Sequence, residues 1–171
     1  MLKPQEALDR AHNLVSQAIK AGADAADAVY VCDASTEVQV RLGQLEDVAR
    51  SEGEDIGLRV FVGQRSATIS SSNMNPDILA GLVARAIDMA KEAPEDQYAG
   101  LAPRDRLLMG AIPDFDSDDG QDPDPAHLRA AALECEDAAR AVPGVTNSEG
   151  AGASAARSIF ALATSHGFAG V

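Results

Sequence analysis

The stretch AVYVCDASTEVQVRLGQLEDVARSEGEDIGLRVFVGQRSATISSS, residues 28–72, decides the fold of this chain. Apolar and polar residues alternate along it, which is the pattern of β-strands that bury one face of a sheet. Breaks in the alternation at Gly43, around Gly53 and at Gly63 to Gln64 indicate tight turns. The stretch therefore predicts four strands joined as an antiparallel meander, over residues 28–41, 44–51, 55–62 and 65–71.

Two amphipathic helices are predicted to flank the meander. Pro4 suits a first helical turn, and apolar residues then recur at three- and four-residue spacing until Gly22. Asn75 supplies an N-cap before Pro76, and a second apolar stripe follows. Residues 1–95 are thus predicted to form an N-terminal α+β domain, in which an antiparallel four-stranded meander is flanked by two helices.

The composition changes after residue 95. Residues 96–125 are rich in proline and aspartate and predict an acidic linker, with a short helical turn at Arg104 to Met109. Asp124 then caps a third helix, whose predicted apolar face consists of Leu128, Ala131, Ala132, Cys135, Ala139 and Val142. SEGAG, residues 148–152, predicts a hairpin turn between strands. Residues 126–171 are interpreted as the start of a second α+β domain with its own sheet.

The charge balance excludes several classes of partner. Fourteen Lys and Arg stand against 27 Asp and Glu, which gives a formal net charge of −13. Such a charge disfavours contact with phosphates or anionic headgroups, so we expect no direct nucleic-acid partner and no membrane partner. No window approaches the ~20 apolar residues of a spanning helix, and the N-terminus lacks a signal-peptide core. We therefore expect a cytoplasmic protein.

The residues that could carry chemistry do not form a recognised motif. The four linker aspartates at 114, 116, 118 and 119 fail as a calcium loop, because Asp119 stands where glycine is needed and Pro125 where a glutamate is needed. The three histidines lack zinc-site spacing. His166, next to Ser165 in the turn TSHGF, is the one closest to a catalytic arrangement, but no orienting acid accompanies it.

The order of several short motifs resembles the N-terminal part of the TldD/PmbA family, also known as modulators of DNA gyrase. The motifs are EGEDIGLRVFVGQR (52–65), SSSNMNPD (70–77), APEDQYAGLA (93–102) and TNSEGA (146–151) followed by SHGF (165–168). Within the family, the sequence is most similar to the PmbA/TldE type of subunit. Family members continue well beyond the point where this chain stops, so the resemblance implies a truncated N-terminal portion of a longer protein.

The resemblance also implies a function. In this family, PmbA-type and TldD-type subunits form a heterodimeric zinc metalloprotease that degrades unfolded or flexible peptides. The zinc-binding HExxxH motif belongs to the TldD-type subunit and is absent from this sequence. We therefore expect no cofactor in this chain, zinc only in a TldD-like catalytic partner, and no activity of the chain alone.

The alternative reading is a docking module with no role in chemistry. Exposed edges of the meander segment EVQVRLGQLEDVARS could accept an extended peptide or a partner by strand addition. Exposed strand edges, such as the unpaired edge expected on the last strand, could also pair two copies of the chain as a homo-oligomer. The residues suggested for peptide or partner binding are Val38, Val40, Asn147, Glu149 and His166.

Overall fold

Three helices and one five-stranded sheet form the part of the chain that the computed structural model describes, residues 2–122 and 124–171. Met1 and Pro123, which fall in the predicted first domain and linker, lie outside the described residues. The elements in chain order are α1 (Pro4–Lys20), β1 (Ala25–Arg41), β2 (Gln44–Val62), β3 (Arg65–Ser71), α2 (Pro76–Glu92), a 3₁₀ turn (Arg104–Arg106), α3 (Pro125–Arg140), β4 (Ala151–Thr164) and β5 (Ala169–Gly170). The predicted α+β class is confirmed.

The predicted second and third strands are a single strand, β2. The chain turns at Leu42 and Gly43, which have φ angles of 50° and 76°, and again at Gly63, with a φ of 59°. Gly53 has no positive φ and remains in the extended strand. A glycine inside a strand weakens it without forcing a turn, so the prediction of a turn near Gly53 was wrong.

The strands that follow α3 join the first sheet and do not start a second one. The strand order is β3-β2-β1-β4-β5, with β1 in the centre. Gly150 lies against the carbonyl of Val40, and Ser165 is hydrogen-bonded to Ala26, so β4 runs antiparallel to β1. The predicted hairpin at SEGAG is also wrong, because residues 145–150 are not a strand and lead directly into β4.

The chain divides into two compact units, each assembled from separate segments. The first consists of Met1–Cys32, Gly53–Pro113 and Ser158–Val171, and the second of Asp33–Glu52 and Asp114–Arg157. The long strands pass from one unit into the other, so these units do not follow the order of the sequence. The predicted domain boundaries at residues 95 and 125 stay predictions.

The core of the first unit lies between the sheet and the helices α1 and α2. The N-cap of α2 forms as predicted, with the Asn75 side chain accepting the Asp77 N–H at 2.9 Å. Fully buried members of this core include Leu14, Ile56, Leu58, Val60 and Leu82. No helix in the described part of the chain is long and apolar enough to cross a membrane.

The second unit has a smaller core, in which α3 packs on β1 and β4. The buried face of α3 is formed by Leu128, Ala132 and Glu136. The predicted apolar stripe of this helix was therefore partly wrong: Cys135 is exposed, as is Val142. The helix is rotated so that an acidic side chain, rather than these residues, faces the sheet.

Glu136 faces the sheet because it binds the turn between β1 and β2. Its side chain is only 1% exposed, and its two carboxylate oxygens accept the N–H groups of Leu42 and Gly43, each at 2.7 Å. The Gly43 N–H, the Ser148 hydroxyl and the Leu42 N–H hold the pKa of Glu136 below its usual range. The carboxylate therefore fastens the hairpin turn to α3.

We expect Glu136→Gln to destabilise the protein most strongly near neutral pH. An amide offers one acceptor oxygen and would turn its NH₂ donor toward the second N–H of the turn. Because folding lowers the pKa of Glu136, its stabilisation is full above its unfolded-state pKa and is lost as the pH falls through its lower folded-state pKa. Thermal unfolding measured between pH 7 and pH 3 should therefore show the difference between wild type and variant shrinking in acid.

Glu134→Gln provides the matched control, because Glu134 is exposed on the same helix. It should leave the melting temperature close to that of the wild type at every pH. Equal destabilisation by the two variants, or a Glu136→Gln effect that grows in acid, would contradict the assigned role of Glu136.

Candidate functional site

Val38 and Val40, suggested from the sequence as part of a binding surface, lie on the central strand β1. Both side chains are fully buried and pack in the core with Leu128 and Ala132 of α3. Their backbone is not at an edge of the sheet, because β2 and β4 flank β1. The two valines stabilise the second unit, and a binding role for this region stays a prediction.

Asn147 and Glu149 lie in the exposed loop between α3 and β4. The Ser148 hydroxyl accepts the Gly150 N–H at 2.9 Å. Gly150 has a φ of 109° and approaches β1 so closely that a Cβ would lie 2.7 Å from the Val40 carbonyl oxygen. This close approach requires glycine and holds the loop beside the end of β1. Peptide or partner binding by Asn147 and Glu149 stays a prediction.

His166 lies in the first unit, in the turn between β4 and β5. Its Nδ1 is 2.8 Å from the carbonyl oxygen of Ala102, so this nitrogen carries a proton and donates it. The neighbouring Ser165 hydroxyl accepts the Ala26 N–H at 3.0 Å. Both side chains thus fasten the turn to adjacent segments. The predicted partner-binding role of His166 stays a prediction.

The family resemblance implies zinc only in a TldD-like partner, and the three histidines of this chain lie on separate elements. His12 lies in α1, His127 in α3 and His166 in the β4–β5 turn. Within residues 2–122 and 124–171, no three His, Cys, Asp or Glu side chains are grouped so that they could hold a metal ion. We therefore assign no chemical step through zinc to these residues.

The aspartates of the predicted linker bind their own backbone. Asp114, Asp118 and Asp119 each accept the N–H two residues further on, at 2.9, 3.0 and 2.9 Å. Asp118 also pairs with Arg157, and the Gly120 N–H together with this pair holds the pKa of Asp118 below its usual range. These contacts form local turns in an exposed segment.

A groove of about 320 Å³ lies in the first unit, between the sheet and residues 100–108. Arg59 on β2 and Asp27 on β1 form its polar floor, with Arg59 Nε donating to Asp27 Oδ1 at 3.1 Å and a second guanidinium nitrogen donating to Oδ2. The hydrogen bonds to Asp27 raise the pKa of Arg59. The guanidinium carbon also lies 5.3 Å from the centroid of the Phe61 ring, within cation–π range.

The walls of the groove are mainly apolar, and its apolar side chains include Leu101, Leu107, Leu108, Leu162 and Phe168. Apolar walls with a few polar groups are typical of sites that bind small molecules. Asp27 neutralises Arg59, and the lining also includes the cationic side chain of Arg106, so the groove combines apolar walls with charged groups at its border. Nothing in the sequence predicts this groove, since Asp27 and Arg59 become neighbours only through the pairing of β1 with β2.

A second charged cluster links α1 to the sheet. The buried Tyr30 hydroxyl donates to Glu54 at 2.5 Å, and Arg10 of α1 donates to the same carboxylate oxygen at 2.7 Å. Burial, followed by the hydrogen bond to Glu54, raises the pKa of Tyr30. Arg10 also lies over the Tyr30 ring, 5.3 Å from its centroid. The cluster satisfies a buried hydroxyl and fastens the helix, so we assign it a structural role.

One long stretch of β2 is uncovered. We name residues 44–52 the β2 edge. Every residue from 44 to 53 is exposed, although alternate side chains point to opposite faces of the sheet. β3 pairs with β2 only from Ile56 to Val62, so among the described residues no strand lies on the outer side of the β2 edge. The segment presents both faces and a row of backbone N–H and C=O groups.

The chain is similar to a known family domain and to curated proteins with matching names. A family model described as PmbA/TldA metallopeptidase domain 1 matches residues 26–90. The "Metalloprotease PmbA homolog" of Haemophilus influenzae is 30% identical over 154 residues, which is 90% of this chain and 34% of that protein. "Metalloprotease PmbA" of Escherichia coli O157:H7 is 28% identical over 157 residues, or 90% of this chain and 35% of that protein. The chain thus spans about a third of the length of these relatives.

Solved structures share the fold. TldE from Thermococcus kodakarensis has a TM-score of 0.74 at 16% identity, over 92% of this chain and 35% of that one. A Bacteroides thetaiotaomicron protein described as a modulator of DNA gyrase also has a TM-score of 0.74, at 20% identity, over 95% of this chain and 37% of that one. The family match over residues 26–90, the curated relatives and the shared fold agree with the motif order, and the chain is similar to proteins of the PmbA/TldD family over most of its length.

Proposed function

We propose that this chain is the N-terminal part of a non-catalytic PmbA-type subunit. The subunit would belong to a cytoplasmic zinc metalloprotease complex that degrades unfolded or flexible peptides. The observation that carries the proposal is the alignment of 90% of the chain with relatives named Metalloprotease PmbA. The activity, substrates and partners of the whole protein are part of the proposal, because the chain spans only about a third of these relatives.

In this proposal, the zinc chemistry belongs to a TldD-like partner. The family resemblance assigns the HExxxH zinc motif to that type of subunit, where the metal would activate water for attack on a peptide bond. The PmbA-type subunit would contribute scaffold and part of the wall around the substrate. Three charged side chains favour such a role, because each is already bound to neighbouring groups of the same chain: Arg59, Glu54 and Glu136.

The catalytic part of the proposal is tested with the purified chain and a purified TldD-like subunit from the same source. We expect elemental analysis to find no stoichiometric zinc in the chain. We also expect the chain alone to leave a flexible peptide uncleaved, because the motif that would hold zinc is absent from its sequence. The chain should co-purify with the TldD-like subunit, and peptide cleavage should require that subunit.

The matching control is the TldD-like subunit with its HExxxH glutamate replaced by glutamine, which should abolish cleavage while the chain still co-purifies. One tightly held zinc per chain, or peptide cleavage by the chain alone, would contradict the assignment of chemistry to the partner. Failure to co-purify would instead contradict the assignment of the partner.

A second candidate is a peptide-docking module with no role in chemistry, and the groove favours it. Its apolar walls and neutralised ion pair suit an apolar side chain of an extended peptide. In this reading, the chain binds flexible peptides by itself, and a TldD-like subunit changes nothing in that binding.

The docking candidate predicts that Leu107→Asp weakens binding of a fluorescently labelled, leucine-rich peptide by about tenfold or more, because it places a charge in an apolar wall. Fluorescence anisotropy measures this binding directly. Met109→Asp is the control, because Met109 lies two residues from Leu107 and is 85% exposed. The two substitutions change the net charge by the same amount. Equal affinities for both variants and the wild type would exclude the groove as the docking site.

A further inference from the structure

The β2 edge is open in a way that the rest of β2 is not. From Ile56 to Val62 the outer side of β2 is paired with β3, and alternate side chains enter the core of the first unit. Along the β2 edge, Leu45 is 45% exposed and Val48 is 46% exposed. Unpaired backbone groups beside exposed apolar side chains make a strand edge ready to pair with another strand.

We propose that the β2 edge pairs with the same edge of a second copy of this chain, antiparallel, about a two-fold axis through Val48. Identical edges come together in this way when the axis stands perpendicular to the sheet. Such an axis keeps each face of the sheet on its own side. Each residue therefore lies opposite a residue of the other copy whose side chain is on the same face of the sheet. Because side chains alternate between the two faces, the two residue numbers in each pair are both even or both odd.

The charges of the β2 edge select this register. With the axis at Val48, Glu46 of each copy lies opposite Arg50 of the other, so two pairs of opposite charge form. Val48 lies opposite Val48, and Gln44 lies opposite Glu52. Directly opposed residues of opposite charge stabilise an antiparallel pair, as do opposed β-branched residues. This register therefore combines both contributions at the centre of the interface.

Neighbouring registers bring like charges together. An axis at residue 47 sets Asp47 opposite Asp47, and an axis at residue 49 sets Glu46 opposite Glu52 twice. An axis at residue 46 opposes Glu46 to itself, and an axis at residue 50 opposes Arg50 to itself. Like charges directly opposite one another destabilise the pair. Of these five registers, only that through Val48 has opposite charges paired and no like charges directly opposed.

Arg50 is held by its own chain but keeps most of its side chain exposed. Its Nε and Nη2 donate to Glu52 of the same strand at 3.0 and 2.5 Å, and its Nη1 lies 3.4 Å from the Thr36 hydroxyl. The side chain remains 63% exposed. A guanidinium has five N–H donors, so donors remain for Glu46 of a second copy. The net charge of −13 opposes association, but at physiological salt charges further apart than about 8 Å are largely screened.

Charge reversal tests the register. We expect sedimentation velocity of the purified chain to show a concentration-dependent dimer. Glu46→Arg and Arg50→Glu should each raise the dimer dissociation constant by about tenfold or more, because each places two like-charge pairs in the interface. The double variant Glu46→Arg/Arg50→Glu should restore dimerisation, since the opposite charges face each other again.

The control for net charge is Glu134→Arg, which changes the charge as much as Glu46→Arg but lies on the exposed side of α3. It should leave the dimer intact. A chain that stays monomeric at high micromolar concentration would overturn the proposal and indicate that the charges of the β2 edge prevent association. A dimer insensitive to the single variants, or not restored by the double variant, would overturn this interface.

Cross-linking tests the position of the axis separately from the charges. In a Cys135→Ala background, Val48→Cys should form a dimeric disulfide under mild oxidation, because directly opposed Cβ atoms lie about 4.5–5.5 Å apart. Ala49→Cys should cross-link much more slowly, since its counterparts are diagonal and about 7–8 Å apart. Faster cross-linking through residue 49 than through residue 48, in variants with wild-type circular dichroism spectra, would overturn the register.

Discussion

The hydrogen bonding of one central strand, β1, is the constraint on which the rest of the structure depends. β1 is 17 residues long and has β2 on one side and β4 on the other. Its N–H and C=O groups point alternately to both sides, so both neighbours are needed to satisfy them. The turn at Leu42 and Gly43 provides the first neighbour. The second comes from residues 151–164, and the chain must return from α3 to reach it.

Both cores are built on the alternate side chains of β1. In the first unit, Tyr30 lies in the core and bonds Glu54, while in the second Val38 and Val40 pack with α3. The carboxylate of Glu136 fixes the turn at which β1 ends. The strand thus determines where the helices can pack. It also leaves β2 longer than its partner β3, which uncovers the β2 edge.

The sequence predicts the local features well and the long-range ones poorly, for physical reasons. Alternation and apolar spacing are local, so the strand over 65–71, predicted as the fourth of the meander, and the caps at Asn75 and Asp124 were predicted correctly. β4 pairs with β1 because backbone groups of β1 would otherwise lack hydrogen-bond partners. These groups lie more than a hundred residues away in the sequence, so no local pattern predicts the pairing. The burial of Glu136 was not predicted, because a charged residue is not expected on an apolar helix face. Its position four residues after Ala132 nevertheless puts it on that face.

Among the candidate site residues, the sequence placed apolar residues on the correct strand but could not tell an inner strand from an edge. Val38 and Val40 alternate as an edge strand would, yet β4 covers their strand. The open edge lies instead on β2, whose acidic and basic residues look like ordinary solvated positions in the sequence. Similarity to the PmbA/TldD family gives a setting for such a surface, because the proposed scaffold role depends on contacts between chains.

Amide hydrogen exchange in dilute solution, where the chain is monomeric, tests the central role of β1 most directly. The account predicts slow exchange along the whole of β1, because both of its sides are paired. It predicts alternating slow and fast amides over residues 44–52, since half of these groups face β1 and half face the open edge. Rapid exchange over residues 33–41, or uniformly slow exchange over residues 44–52, would contradict it.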